Sequence, residues 1–184
     1  MPPKVKITKE NIIDAAIDII RKKEPLNART LAAALNCSTQ PIFSNFASMD
    51  ELHLAVLEKA NILYEEYITR EIESGQYPPY KASGVAYIRF AKEERELFKL
   101  LYMRDRSNED VPEGLNFGQR IESIVQSSTG LDPIEVKLFH LEMWAYVHGI
   151  ASMAATGFAD PDTELVSRML TDAYMGMRKQ YGLE

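Results

Sequence analysis

Gln40 and Asn45 carry carboxamides, side chains able to form two parallel hydrogen bonds with the edge of a base. They stand among Ser38, Thr39 and Ser44, whose hydroxyls can reach bases or phosphates, and Pro41 offers an apolar surface to a thymine methyl. Arg29 and Thr30 open the preceding segment, where the positive end of a helix can hold phosphate. Lys4, Lys6 and Lys9 form a basic arm suited to further phosphate contacts. These residues suit recognition of double-stranded nucleic acid.

Residues for bond-making chemistry are sparse. Cys37 with a distant histidine is the minimum for a thiol nucleophile, but it sits at an apolar turn position, where burial and inertness are expected. His53, His140 and His148 have no ligand-like spacing with cysteines or carboxylates, so no metal site is expected. No glycine-rich phosphate loop, nucleophile elbow or dinucleotide fingerprint appears. Glu65-Glu66 and Glu93-Glu94 read as solvated helix faces. The chain is not expected to be an enzyme, and no cofactor is expected.

The elements that must position these residues read almost throughout as helices. Thr8 caps a helix with Ile12, Ile13, Ala16, Ile19 and Ile20 at three- and four-residue spacing, and Pro25 lies beyond its end. Asn27 precedes a short helix with Leu31, Ala32 and Leu35 inward. Ser38 is expected to cap the next, with Pro41 in its first turn, where backbone N–H groups lack partners anyway. Asn36 suits the left-handed turn between them. Ser48 with Glu51 reads as a capping box opening a longer helix through Leu52, Val56, Leu63, Tyr67 and Ile72.

After a break at Ser74–Pro79, helices are expected over 80–93, 97–103 and 113–128. Asp132-Pro133 and Asp160-Pro161 each place an acid before a proline, predicting two more starts. The fold class is all-α, with about nine helices and no convincing strand. Helices of two turns need tertiary packing to survive. Leu31, Ala32, Leu35, Cys37, Ile42 and Phe46 supply a shared core, and the construction is that of a helix-turn-helix presenting its second helix outward. A compact three-helix scaffold with a merely wet polar side fits the same spacing.

Residues Ile12 to about Ala60 resemble the N-terminal domain of TetR-type transcriptional repressors. The resemblance lies in Ile12-Ile13-Asp14-Ala15-Ala16, Leu31-Ala32 with Leu35-Asn36-Cys37-Ser38, Pro41-Ile42-Phe43-Ser44-Asn45-Phe46, and Asp50-Glu51-Leu52. It implies a helix-turn-helix DNA-binding domain over 1–50, with Phe43 among the DNA-facing residues, and a ligand-binding and dimerisation domain over 51–184. It also implies a cytoplasmic repressor, binding a palindromic operator as a homodimer and released by a small-molecule effector. Three residues depart from the pattern. Phe43 stands where the family usually has tyrosine, Met49 where it has lysine, and Asn36 where glycine is common. Phe43 and Met49 remove two phosphate partners, which keeps open a helical ligand- or protein-binding module with weak or lost DNA binding.

In the body, Tyr87, Phe90, Phe98, Tyr102, Phe117, Met143, Trp144, Val147 and His148 are candidates for a mostly apolar ligand pocket. Tyr102, Trp144 and His148 would be its polar handles. Each of these residues read singly also suits plain core. Met143 to Ala159 carries no charged residue with histidine neutral, so that helix must be covered on more than one side. Ala145, Gly149 and Ser152, with Met169 and Ala173 on the last helix, are candidates for a four-helix interface with a second copy. The Trp144…His148-Gly149-Ile150-Ala151 arrangement also resembles a C-terminal domain of a subset of TetR-type regulators.

Charge is split along the chain. Residues 1–50 hold seven Lys/Arg against five Asp/Glu, a net +2, while 51–184 hold 14 against 22, a net −8. A mildly basic part on an acidic body fits an anionic partner for the first part alone. A single cysteine forms no internal disulfide, which fits an intracellular protein. No apolar run of about 18 residues or charged leader is visible, so neither secretion nor membrane insertion is expected.

Overall fold

The computed structural model describes residues 7–105 and 119–183. Among them there are nine helices and no strand. They are α1 (Lys9–Arg21), α2 (Ala28–Ala34), α3 (Gln40–Asn45), α4 (Met49–Glu73), α5 (Pro79–Glu93), α6 (Arg95–Tyr102), α7 (Gln119–Thr129), α8 (Pro133–Thr156) and α9 (Thr163–Gln180). The all-α expectation is met. The part of the 113–128 helix before residue 119 lies outside the described residues, as do Lys4, Lys6 and Phe117. The chain forms two compact units, Met1–Leu63 with Glu94–Arg104, and Tyr64–Glu93 with Asp105–Glu184.

In the first unit α1 packs against α2, α3 and α6, burying Ile12, Ala16, Ile17 and Ile19. Its start is fixed by a reciprocal cap. The Asn11 N–H donates to Thr8 Oγ1 at 3.2 Å, and the Thr8 N–H donates to Asn11 Oδ1 at 3.2 Å. Asn27 caps α2 the same way, accepting from the N–H groups of Arg29 and Thr30 at 2.9 and 3.1 Å. Leu31, Ala32, Ile42 and Phe46 are buried as expected, whereas Leu35 and Cys37 are only half-buried.

The turn from α2 to α3 depends on Asn36, whose φ is 49°. There the Asn36 N–H reaches Ala33 O at 3.1 Å and the Cys37 N–H reaches Ala32 O at 2.9 Å, the paired bonds of a Schellman ending. An L-residue in this conformation brings its Cβ against a carbonyl oxygen; glycine has no Cβ, and asparagine offsets the cost through local hydrogen bonding of its short side chain. Asn36→Ala is therefore expected to destabilise the protein by about 1 kcal/mol, and Asn36→Gly to be neutral or mildly stabilising. Denaturant midpoints of the two variants would check this.

Ser38 does not cap α3. The N-cap is Thr39, already in helical conformation at φ −71°, and no side chain caps the helix there. Cys37 and Ser38 link the left-handed turn to this cap outside the helix, and a residue in helical conformation gives a capping hydroxyl poor geometry. At the start of α4 the Glu51 N–H donates to Ser48 Oγ at 3.1 Å, and the Glu51 carboxylate accepts the Ala47 N–H at 2.6 Å. That backbone bond, with Lys9 nearby, holds the Glu51 carboxyl below its ordinary pKa. α6 is tied to α1 by a two-pronged contact, Arg21 Nε to Glu94 Oε2 at 2.9 Å and Nη2 to Oε1 at 2.6 Å.

In the second unit α5 is buried almost all round and packs against α7, α8 and α9. At Gly84 an added Cβ would lie 3.4 Å from Leu170 Cδ1 and 3.7 Å from Val147 Cγ2, so α8 and α9 come within ordinary contact distance of this point on α5. Asp132 caps α8 as expected, accepting from the Ile134 and Glu135 N–H groups at 2.8 and 3.0 Å. The start of α9 needs correction. Its cap is Asp162, which accepts the Leu165 N–H at 2.8 Å, while Asp160 pairs with Lys92 Nζ at 2.7 Å. A tertiary ion pair took the acid that the local pattern favours.

Candidate nucleic-acid interface and ligand site

α3 presents a smaller reading face than its composition offers. Gln40, Phe43 and Ser44 are exposed, as is Ser38 before the helix, while Thr39, Pro41 and Asn45 are half-buried. Ser44 Oγ donates to Gln40 O at 2.9 Å. Asn45 Nδ2 donates to Pro41 O at 2.8 Å and to Ile7 O at 3.4 Å, so its carboxamide is turned back on its own backbone rather than aligned with Gln40. Arg29 is exposed beside the α2 start, but the Thr30 hydroxyl is engaged within the cap, donating to Pro25 O at 2.8 Å and to Asn27 O at 2.9 Å. Lys9 lies over the Phe46 ring at 5.0 Å and reaches Glu51 at 3.5 Å.

The body candidates divide. Tyr87, Phe90, Met143, Val147, Trp144 and His148 all lie in the second unit; Phe98 and Tyr102 lie on α6 in the first, their rings 5.2 Å apart. Within the second unit a polar chain crosses from α5 to α8. The Tyr87 hydroxyl is 2.9 Å from His148 Nδ1, and His148 Nε2 is 3.3 Å from Ser152 Oγ, one helical turn on. Trp144, one turn back, stacks on the imidazole with centroids 4.8 Å apart and planes at 20°. Partial burial pushes the His148 pKa below its ordinary value. The neutral ring is thus favoured, with one nitrogen donating and the other accepting.

Two α4 residues of the second unit were missed. Tyr64 packs edge-on to Tyr87 at 5.6 Å and tilted to Phe90 at 5.5 Å. Glu71 is 3% exposed and pairs with Arg89 Nη1 at 2.6 Å. Their sequence signal was register, since Ala60, Tyr64, Ile68 and Glu71 recur at helical spacing, and a carboxylate in an apolar stripe implies a buried partner.

The interface candidates are uncovered to different degrees. Ala145 and Gly149 are exposed, and Ser152, Met169 and Ala173 are half-buried. They continue an apolar stripe of Ile134 and Leu138 on α8, with Leu165 and Met175 exposed on α9. A Cβ added at Gly149 or Gly176 would meet nothing within 4 Å. Among the described residues no group of three or more metal-ligating side chains is found, and no helix is long and apolar enough to cross a membrane.

Comparison with known proteins places this architecture. Residues 80–173, more than half of the chain, match the model for the tetracyclin repressor-like, C-terminal domain. A TetR-like transcriptional regulator from Rhodococcus sp. RHA1 has a similar fold, with a TM-score of 0.69 at 17% identity over 99% of each chain. The multidrug binding protein EbrR, solved in complex with imidazole, gives 0.57 at 19% identity over 90% of this chain and 93% of its own. No curated protein matches the chain. The family match extends over more than half of the sequence: the chain belongs to the tetracyclin repressor-like family of transcriptional regulators.

Proposed function

We propose that the protein is a repressor that binds a palindromic operator as a homodimer, one α3 per half-site, and is released when a small, mostly apolar ligand enters the second unit. The observation that carries this reading is the α2–α3 pair, turned through left-handed Asn36 so that Gln40 points outward from a closed core. A helix offered this way suits the major groove, where a carboxamide pairs with adenine N6 and N7. The uncovered stripe through Leu138, Ala145 and Gly149 supports the dimer, since an isologous interface needs one self-complementary apolar surface.

The stacked Trp144–His148 pair, joined at one edge to the Tyr87 hydroxyl, with the Tyr87 ring in turn against Tyr64, supports an apolar ligand held by one or two hydrogen bonds. The multidrug binding of the similarly folded EbrR is consistent with it. Such a ligand releases DNA only to the extent that it binds the released conformation more tightly.

Gln40→Ala tests the groove contact. It is expected to weaken binding to the preferred duplex by about 1–3 kcal/mol and to leave binding to unrelated DNA almost unchanged. Equal losses on both duplexes would show that Gln40 reads no base.

A further inference from the structure

α3 and the residue that ends it hold two phenylalanines in opposite environments. Phe46 is 3% exposed beneath the Lys9 ammonium, whereas Phe43 is 50% exposed. The core of the first unit is therefore closed without the Phe43 ring. Single exposed apolar residues are ordinary on protein surfaces. Phe43 differs in its address, one turn beyond Gln40, with both side chains exposed. The polar groups around it are engaged internally, Ser44 Oγ on Gln40 O at 2.9 Å and Asn45 Nδ2 on Pro41 O at 2.8 Å. Much of the reading capacity of α3 thus falls to a carboxamide and a phenyl ring side by side.

We propose that Phe43 is a specificity-determining residue that reads thymine, seating its ring against a C5-methyl group next to the base pair that Gln40 contacts. This contact presupposes that α3 enters the major groove, as proposed above. A phenyl ring has no donor for a phosphate and gains nothing from the charged backbone of the duplex. The hydrocarbon group that bases display in the major groove is the thymine methyl. Spacing agrees. Three residues along a helix advance roughly 4.5 Å, close to the rise of about one base step. Gln40 and Phe43 would accordingly meet the same base pair or its neighbour. Pro41, expected from the sequence to offer the apolar contact, is half-buried, and its carbonyl holds Asn45.

The chemistry permits a probe that removes the methyl alone. Full-length protein first selects its preferred duplex from a random pool. That duplex is then resynthesised with deoxyuridine replacing thymidine, one symmetric pair of positions at a time. Affinity is measured for the wild type, Phe43→Ala and Phe43→Tyr, each checked for an unchanged melting temperature. At one position the replacement is expected to weaken wild-type binding about tenfold, from two methyls that each contribute a few-fold. It should weaken Phe43→Tyr similarly, because the ring remains, and leave Phe43→Ala unaffected. Deoxyuridine that is neutral at every position, or equally harmful to wild type and Phe43→Ala, would overturn the assignment while leaving the groove reading intact. A pool yielding no preferred duplex would overturn the groove reading and this assignment with it.

Discussion

Gly149→Arg is expected to leave the protomer folded, to halve the particle mass in solution and to abolish tight operator binding. The fold survives because a Cβ at Gly149 meets nothing within 4 Å, and the side chain leaves into open space. The dimer does not survive, because the proposed interface is apolar along α8, from Leu138 through Ala145 to Gly149. A twofold axis places two guanidinium groups in it at once. Burying a charge without a partner costs about 3–5 kcal/mol, enough to shift a dimer equilibrium by at least a hundredfold. A monomer engages one half-site only, so operator affinity falls by orders of magnitude with it. Light scattering would read the mass, and Gly149→Ala, which adds one methyl, serves as the control. A dimer persisting in Gly149→Arg would place the interface elsewhere.

Acidification from pH 7 to 4 is expected to remove about 3 kcal/mol of stability through His140 alone. Its ring is 8% exposed, with Nδ1 2.8 Å from the Tyr80 hydroxyl. Burial lowers its pKa from 6.5 to about 4 and raises that of Tyr80. The phenol therefore keeps its proton and the imidazole stays neutral, the two sharing one hydrogen bond. The unfolded chain takes up a proton near pH 6.5 while the folded chain refuses one until about pH 4. The stability is complete above the first value and is lost as pH falls toward the second. By pH 5 the loss should already be about 2 kcal/mol, before ordinary carboxylates titrate. Half-buried His148 contributes in the same direction, so the decisive comparison is with His140→Gln, which should show a distinctly shallower fall in urea-unfolding free energy. Parallel curves for the two proteins would contradict the assignment.

Local rules made much of the fold legible. Thr8, Asn27 and Asp132 are caps whose partners lie two or three residues away, so sequence spacing alone carries the information. Asn36 was legible for the same reason, because few residue types tolerate the conformation that a tight helix-to-helix turn demands. Where the deciding contact is long-range, the sequence misleads. Asp160 and Asp162 both flank Pro161, and it is Asp162 that caps α9 while Asp160 pairs with Lys92, 68 positions before it. Phe98 and Tyr102 follow the body helices in the chain yet belong to the first unit, where Arg21 holds Glu94 across 73 positions.

The candidate site was legible in composition and less so in orientation. Gln40 and Asn45 look alike in sequence, but the Asn45 carboxamide folds back on the Pro41 carbonyl one turn earlier, which leaves Gln40 as the outward carboxamide. Tyr64 and Glu71 were hidden by ordinary helical spacing, and Glu71 became legible only with Arg89 beside it.

The proposed function is that of a dimeric, sequence-specific DNA-binding regulator. Selection of bound duplexes from a random pool, with affinity measured at two salt concentrations, tests it most directly. A palindromic site is expected, with binding that weakens steeply with salt because phosphate contacts release counterions. No enrichment even at low salt would contradict it. Phe43 and Met49 would then mark lost phosphate contacts, and the chain would be a helical ligand- or protein-binding module.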